Sequence, residues 1–182
     1  MNEIRVHGRG GQGAVTATEM LARAFVQEGK YATGFPLYAA ERRGAPVAAF
    51  LRVDDKPIRQ RSGIYSPNCL LVIDPHLVYQ PFVFNGIKPG TVLIWNTDRS
   101  VVEQLHKNIA VIGYVDALKI GMQEIGQPVT NTCMLGAFAR TTGWVRLESI
   151  LDSVAEQFSG DRLEKNLRCV KRGFEETVVQ KF

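Results

Sequence analysis

Glu3-Ile4-Arg5-Val6-His7-Gly8-Arg9-Gly10-Gly11-Gln12-Gly13-Ala14-Val15-Thr16-Ala17-Thr18-Glu19-Met20-Leu21-Ala22-Arg23-Ala24-Phe25 is the stretch on which the fold of this 182-residue chain turns. Glu3 to His7 reads as a short strand, and the glycines from Gly8 to Gly13 stop it. Past them Val15, Met20, Leu21, Ala24 and Phe25 recur at helical spacing from Ala14 to Glu28, and Gly29 supplies the stop. A strand, a glycine turn and a helix in that order open an α/β unit.

The rest of the chain continues the alternation. Gly34 to Pro46 reads as an irregular segment, followed by a strand over Val47–Val53. Asp54-Asp55-Lys56-Pro57 reads as the turn of a hairpin whose second strand lies near Ile58–Arg61. Cys69–Ile73, Val92–Trp95 and Ile109–Ile112 have the unbroken apolar form of parallel strands buried on both faces. Helices are expected from Asp98 through His106, over Tyr114–Ile125, from an Asn131 cap to about Arg140, over Leu147–Phe158 and over Arg162–Val179. The expected fold is α/β, a single three-layer domain over residues 1–182 with a mainly parallel sheet and helices on both faces. Hydrophobic residues at 45% and charged residues at 22% exclude disordered, collagen-like and coiled-coil chains. No apolar run approaches a membrane span, and the first residues lack the basic and then apolar pattern of a secretory leader, so a cytoplasmic protein is expected.

Cys69, Cys133 and Cys169 are odd in number and far apart, with no C-x-x-C pair. That spacing argues against a disulfide framework, a zinc site or an iron–sulfur cluster held by this chain alone. The net charge of +4 is concentrated between Glu41 and Arg61, where Arg42, Arg43, Arg52, Lys56, Arg59 and Arg61 face only Glu41, Asp54 and Asp55. Such a stretch suits an anionic cofactor, an acidic protein surface or nucleic acid, or is simply a solvated face. The aromatic interleaving of an RNA platform is absent from it, and nucleic acid ranks low.

Two segments carry the candidate chemistry. Gly8, Gly10 and Gly13 match G-x-G-x-x-G between a strand and a helix, where free backbone N–H groups favour an anion. Lys30 to Pro36 contains no carboxylate to hold a ribose, so the match does not select a nicotinamide dinucleotide over a turn that merely packs helix on sheet. In the second segment, Gly34 to Val47, prolines and glycines bracket Tyr38, Glu41, Arg42 and Arg43. Adjacent guanidinium forks bind phosphate or carboxylate well, although an ion pair of Glu41 with one arginine is an equal reading. His7, His76 and His106 lack a metal or nucleophile partner, and no nucleophile elbow is present.

Taken in order, these motifs resemble the γ subunit of the 2-oxoacid:ferredoxin (acceptor) oxidoreductases, pyruvate type. The residues are Gly8-Arg9-Gly10-Gly11-Gln12-Gly13, then Phe35-Pro36-x-Tyr38, then Glu41-Arg42-Arg43-Gly44, Arg52, Ser62, Ser66-Pro67 and Asp74. Asn131-Thr132-x-Met134-Leu135-Gly136-Ala137, Asn166 and Gly173 extend the likeness nearly to the end of the chain. Gly44-Ala45-Pro46-Val47 is closer to the pyruvate type than to the 2-oxoglutarate type, whereas Ala39 stands where the family usually has glycine.

The resemblance implies one part of a thiamine-diphosphate-dependent complex that decarboxylates a 2-oxoacid to an acyl-CoA and passes electrons to ferredoxin or another acceptor. By its pattern this chain helps to form a coenzyme A site, with Gly8, Arg9, Gly10, Gly11, Gln12, Gly13, Tyr38, Glu41, Arg42 and Arg43 as the cofactor-binding candidates and no catalytic or metal-binding residue of its own. Thiamine diphosphate, magnesium and the iron–sulfur clusters are expected in the α, β and δ partner subunits, of which β binds the thiamine and δ is ferredoxin-like. An aryl-2-oxoacid enzyme (phenylglyoxylate or indolepyruvate) is the nearest alternative, and a stand-alone Rossmann-like nucleotide-binding module is the rival from another class.

Overall fold

In the strand β1 (Asn2–Arg9) alternate residues take opposite faces, so Ile4 and Val6 turn to one side of the sheet and Arg5 and His7 to the other. This computed structural model describes residues 1–37 and 43–182. The chain runs from β1 through α1 (Ala14–Gln27) to β2 (Tyr31–Pro36) and β3 (Pro46–Asp54), and then to β4 (Cys69–Val72) and β5 (Thr91–Asn96). It continues as β6 (Ile109–Val115), α2 (Ala117–Glu124), α3 (Asn131–Thr142), α4 (Leu147–Gln157), α5 (Gly160–Glu176) and β7 (Val178–Lys181). The sheet order is β2-β3-β1-β4-β5-β6-β7. The four central strands are parallel, whereas β2, β3 and β7 join antiparallel at the two sides.

The expected α/β class with a parallel central sheet is what forms, and its two covers are unequal. All five α-helices share one core with Ile4, Val6, Leu51, Cys69, Leu71 and Ile94. α1 and α3 lie on the strands, and α4 and α5 pack against them. The other face is closed by two 3-10 turns, Leu77–Tyr79 and Pro81–Phe84, over Leu70, Val72, Leu93 and Trp95. The Glu28 side chain ties α1 to the start of α4 by accepting from the Arg146 N–H and the Ser149 hydroxyl, both at 2.7 Å. Burial pushes this carboxyl up, but those bonds and the Arg146 guanidinium outweigh it and hold it below its ordinary value.

Several local expectations are corrected. Gly34 lies within β2 rather than in an irregular segment, because a strand at the edge of the sheet tolerates Pro36 and the missing side chain lets the Thr18 methyl of α1 approach. No strand forms near Ile58–Arg61. β1 and β2 already occupy both edges of β3, which leaves a hairpin partner nowhere to pair. The stretch from Asp98 through His106 crosses to β6 without a helix, since only Val101 of its apolar residues is deeply buried while Val102 is 78% exposed. Tyr114 and Val115 finish β6, and the Asp116 carboxylate caps α2 by accepting from the Lys119 N–H at 2.9 Å. Asn131 is the first residue of α3 rather than its cap. The last helix stops at Glu176, and the chain then adds β7 to the edge that β6 would otherwise expose.

Candidate functional site

The parallel strands β1 and β4 flank the point at which the strand order reverses, because the connection from β1 goes one way to β2 and β3 and returns on the other side at β4. The crevice beyond the carboxyl ends of two such strands is where open α/β sheets bind ligands. Here it is formed by Arg9–Gly13 and by Asp74. Asp74, 5% exposed, accepts from Gln12 Nε2 at 2.8 Å and from the His76 N–H at 3.0 Å, and pairs with Arg9 Nε at 3.3 Å. Gln12 Oε1 in turn accepts from the Arg9 N–H at 2.7 Å. Gln12 is therefore a peg that holds the turn shut, and Gly8, inside β1, lets the Ala14 methyl come close.

Gly13 precedes α1 in the left-handed region, with φ of 74°, and its carbonyl accepts from the Ala17 N–H at 2.9 Å. A side chain there would be strained and would strike the Asn131 amide at the start of α3. Two helix N-termini thus meet at Gly13, and α1 has no acidic residue in its first turn to neutralise its dipole.

The second sequence segment reaches the same place. The Gly10 N–H donates to Ala45 O at 2.9 Å, the Gly44 N–H donates to Gly10 O at 3.1 Å, and Arg9 Nη1 donates to Gly44 O at 3.2 Å. A cavity of about 570 Å³ lies beside this junction, lined by Arg9, Gly10, Gly11, Gly13 and Arg43, with Val15, Leu37 and Val47 as its apolar wall. The Arg43 guanidinium, the backbone of a glycine turn and a helix N-terminus border this cavity beside an apolar wall, and Arg9, held by Asp74 and the Gly44 carbonyl, adds positive charge at its edge. Tyr38, Glu41 and Arg42 lie outside the described residues.

The basic stretch is broken up by the fold. Arg52, 2% exposed, pairs with Glu3 at 3.0 Å and donates to the carbonyls of Ser62 and Gly63 at 2.7 and 3.1 Å, so it is an internal strut and not part of a surface patch. Cys69 and Cys133 are buried core thiols whose pKa burial raises, and burial pushes Cys169 up to about 11. No three His, Cys, Asp or Glu side chains among the described residues could hold a metal ion, and no helix among them is long and apolar enough to cross a membrane. In the sequence Asp74 stands out only as part of a motif, and Asn131 as part of a motif and as a helix cap. Their supporting role follows from the strand order, which puts β4 and the start of α3 beside the turn.

Replacement of Asp74 by Ala is expected to remove the acceptor of Gln12 and the partner of Arg9 together. The loss should be about 1.5–3 kcal/mol of stability, since a bond to a charged acceptor is worth roughly that much. Urea unfolding checks it, and a midpoint within error of the parent protein would show that the peg is dispensable.

The sequence pattern of pyruvate ferredoxin/flavodoxin oxidoreductase matches residues 3–176. The chain belongs to that family. Among its members it is 49% identical over 182 residues to the pyruvate/ketoisovalerate oxidoreductases common subunit gamma of Thermococcus kodakarensis, covering 98% of both chains. It is 45% identical over 181 residues to the γ subunit of the NADH-dependent phenylglyoxylate dehydrogenase of Aromatoleum evansii, covering 98% of this chain and 95% of that one. The crystal structure of pyruvate oxidoreductase subunit PORC from Thermotoga maritima superposes with a TM-score of 0.86 at 38% identity, over 99% of this chain and 98% of that one. The family is thus the one that the ordered motifs suggest, and its members include both pyruvate and aryl-2-oxoacid enzymes.

Proposed function

We propose that this chain is the γ subunit of a thiamine-diphosphate-dependent 2-oxoacid oxidoreductase that acts on pyruvate, and that its glycine turn forms one wall of the coenzyme A site. The observation that carries the second half is the convergence of Arg9, Arg43 and the N-terminus of α1 on one cavity. Coenzyme A supplies the thiol that accepts the acyl group. In this chain Arg43 offers a planar fork to phosphate oxygens, Arg9, held by Asp74 and the Gly44 carbonyl, adds positive charge beside it, and Gly11 and Gly13 leave room for backbone N–H groups to approach. Val15, Leu37 and Val47 give the less polar part of the cofactor an apolar surface. Asp74 and Gln12 are positioning residues, since they hold Arg9 and the turn. Decarboxylation and electron transfer belong in this reading to the partner subunits with their thiamine diphosphate, magnesium and iron–sulfur clusters, and ferredoxin or another carrier takes the electrons. Pyruvate is favoured by Gly44-Ala45-Pro46-Val47 and by the relatives named for it.

The test uses the assembled enzyme. Arg43→Ala is expected to raise the KM for coenzyme A about tenfold, the effect of losing one charge-assisted bond of about 1.5 kcal/mol at an exposed side chain. Arg43→Lys should recover part of the loss, because an ammonium does not reproduce the fork. The half-reaction before coenzyme A enters, followed by rapid mixing, should keep its rate. An unchanged KM, or an equal loss in that first half-reaction, refutes the coenzyme A assignment. A purified chain that reduces a viologen dye with a 2-oxoacid on its own refutes the subunit reading.

A further inference from the structure

On the sheet face away from the α-helices, the β1–β3 register sets Arg5 opposite Phe50 and His7 opposite Ala48. These four residues belong to a second cavity of about 390 Å³, predominantly apolar, with Ile64 and Phe82 in its walls. It shares Leu37, Val47 and Ala48 with the cavity at the glycine turn, but Arg5 and His7 point away from α1 and reach only this one. Tyr65, 79% exposed, and Leu37 stand at its open side.

Arg5 is 7% exposed. Its Nε donates to His7 Nε2 at 3.0 Å, and its Nη2 donates to the carbonyls of Val83 and Asn85 at 2.7 and 2.9 Å. Every one of these acceptors is neutral. Nη1 has no acceptor among the described residues, and no described carboxylate lies within ion-pair distance of the guanidinium. A guanidinium does not give up its proton in a protein, so the fold holds a largely buried cation with no counter-charge among the described residues, its Nη1 turned to the cavity. Buried charges are otherwise paired, since leaving water without a partner is costly. Burial accordingly lowers the Arg5 pKa from its ordinary value.

We propose that this cavity binds a carboxylate on an apolar stem, the carboxylate accepting from Arg5 Nη1 and the stem lying against Phe50 and Phe82. One available nitrogen and apolar walls suit a singly charged acid and not a phosphate, which needs more donors. The carboxylate comes from a free organic acid or from an acidic side chain of a partner subunit, and the two sources are separable.

The probe is 3-phenylpropionate, with its uncharged amide as the control, titrated into the purified chain and followed by the NMR signals of His7, Phe50 and Phe82. The acid should bind saturably and the amide at least about tenfold more weakly, the counterpart of a charge-assisted bond. Arg5→Lys should retain part of the preference for acid. Arg5→Met should abolish it, and because Arg5 also holds the carbonyls of Val83 and Asn85, a second variant guards against loss of the fold. Phe82→Ala, 41% exposed in the parent, should weaken acid and amide alike. Acid binding that persists in the assembled enzyme identifies a free acid as the occupant. Acid binding that assembly abolishes identifies a partner's acidic side chain. No saturable binding at millimolar concentration, or equal binding of acid and amide, overturns the proposal.

Discussion

Gly173→Ala is expected to destabilise this protein by about 3 kcal/mol, and Gly136→Ala by a similar amount, although alanine is the better helix former at both positions. In an open helix the change from glycine to alanine gains about 1 kcal/mol. Here a methyl at Gly136, in α3, would fall inside contact distance of the Val170 carbonyl of α5, and one at Gly173, in α5, inside that of the Cys133 carbonyl of α3. The two glycines thus form a reciprocal crossing, each facing the residue three positions before the other. The atoms met are backbone, which cannot turn aside as a side chain does. The helices must separate, and α3, whose first nine residues are all buried, then loses packing on several sides. Overpacking therefore outweighs propensity. For a chain of this size about 3 kcal/mol lowers Tm by about 6–12 °C. Thermal unfolding checks it, and a Tm equal to or above that of the parent would show that the helices can part at little cost.

Acid should unfold the protein steeply, with His7 a main contributor. Its imidazole is 3% exposed, accepts from Arg5 and lies against the Phe82 ring. Burial first, and the Arg5 charge second, push its pKa down to about 3 from an ordinary 6.5. Above pH 6.5 the imidazole is neutral in the folded and unfolded chains, and it adds no pH dependence. As pH falls below 6.5 the unfolded chain takes a proton that the folded chain refuses. Stability is lost over this window until the folded imidazole itself titrates near 3. Each pH unit in between costs a little over 1 kcal/mol, so roughly 3 kcal/mol is gone by pH 4.5. His7→Gln, whose side-chain oxygen can still accept from Arg5, should flatten this part of the curve. An NMR titration of His7 gives the direct reading. A midpoint near 6.5 in the folded chain would exclude the mechanism, whatever the acid stability of the whole protein.

Much of the architecture was legible because its signals are local. The β1–turn–α1 unit, the three buried apolar strands, and the helices around Met134, Ile150 and Val170 follow from spacing alone. Where the reading failed, the deciding contact lay far along the chain. β2 is a strand because β3 pairs with it, in spite of Gly34 and Pro36. The pairing over Ile58–Arg61 fails because β1 and β2 hold both edges of β3. β7 exists because β6 would otherwise present an open edge.

The site divides in the same way. Residue types and order determined that a glycine turn opens α1, that arginines accompany it, and that the chain belongs with the γ subunits its motifs resemble. These are properties of a few consecutive residues, and glycine and arginine carry them wherever they sit. Tertiary structure decided that Arg9 and Arg43 share a cavity, that Gln12 and Gly8 support the turn, and that Asp74 locks it. It also decided that Arg52 is an internal strut, and that Arg5, beside a neutral histidine, lies buried beneath an apolar cavity. Charge and hydrogen-bonding capacity are written in the side chain. Whether that capacity is met by water, by another residue or by a ligand depends on strand order and register, which bring together positions that the sequence keeps dozens of residues apart.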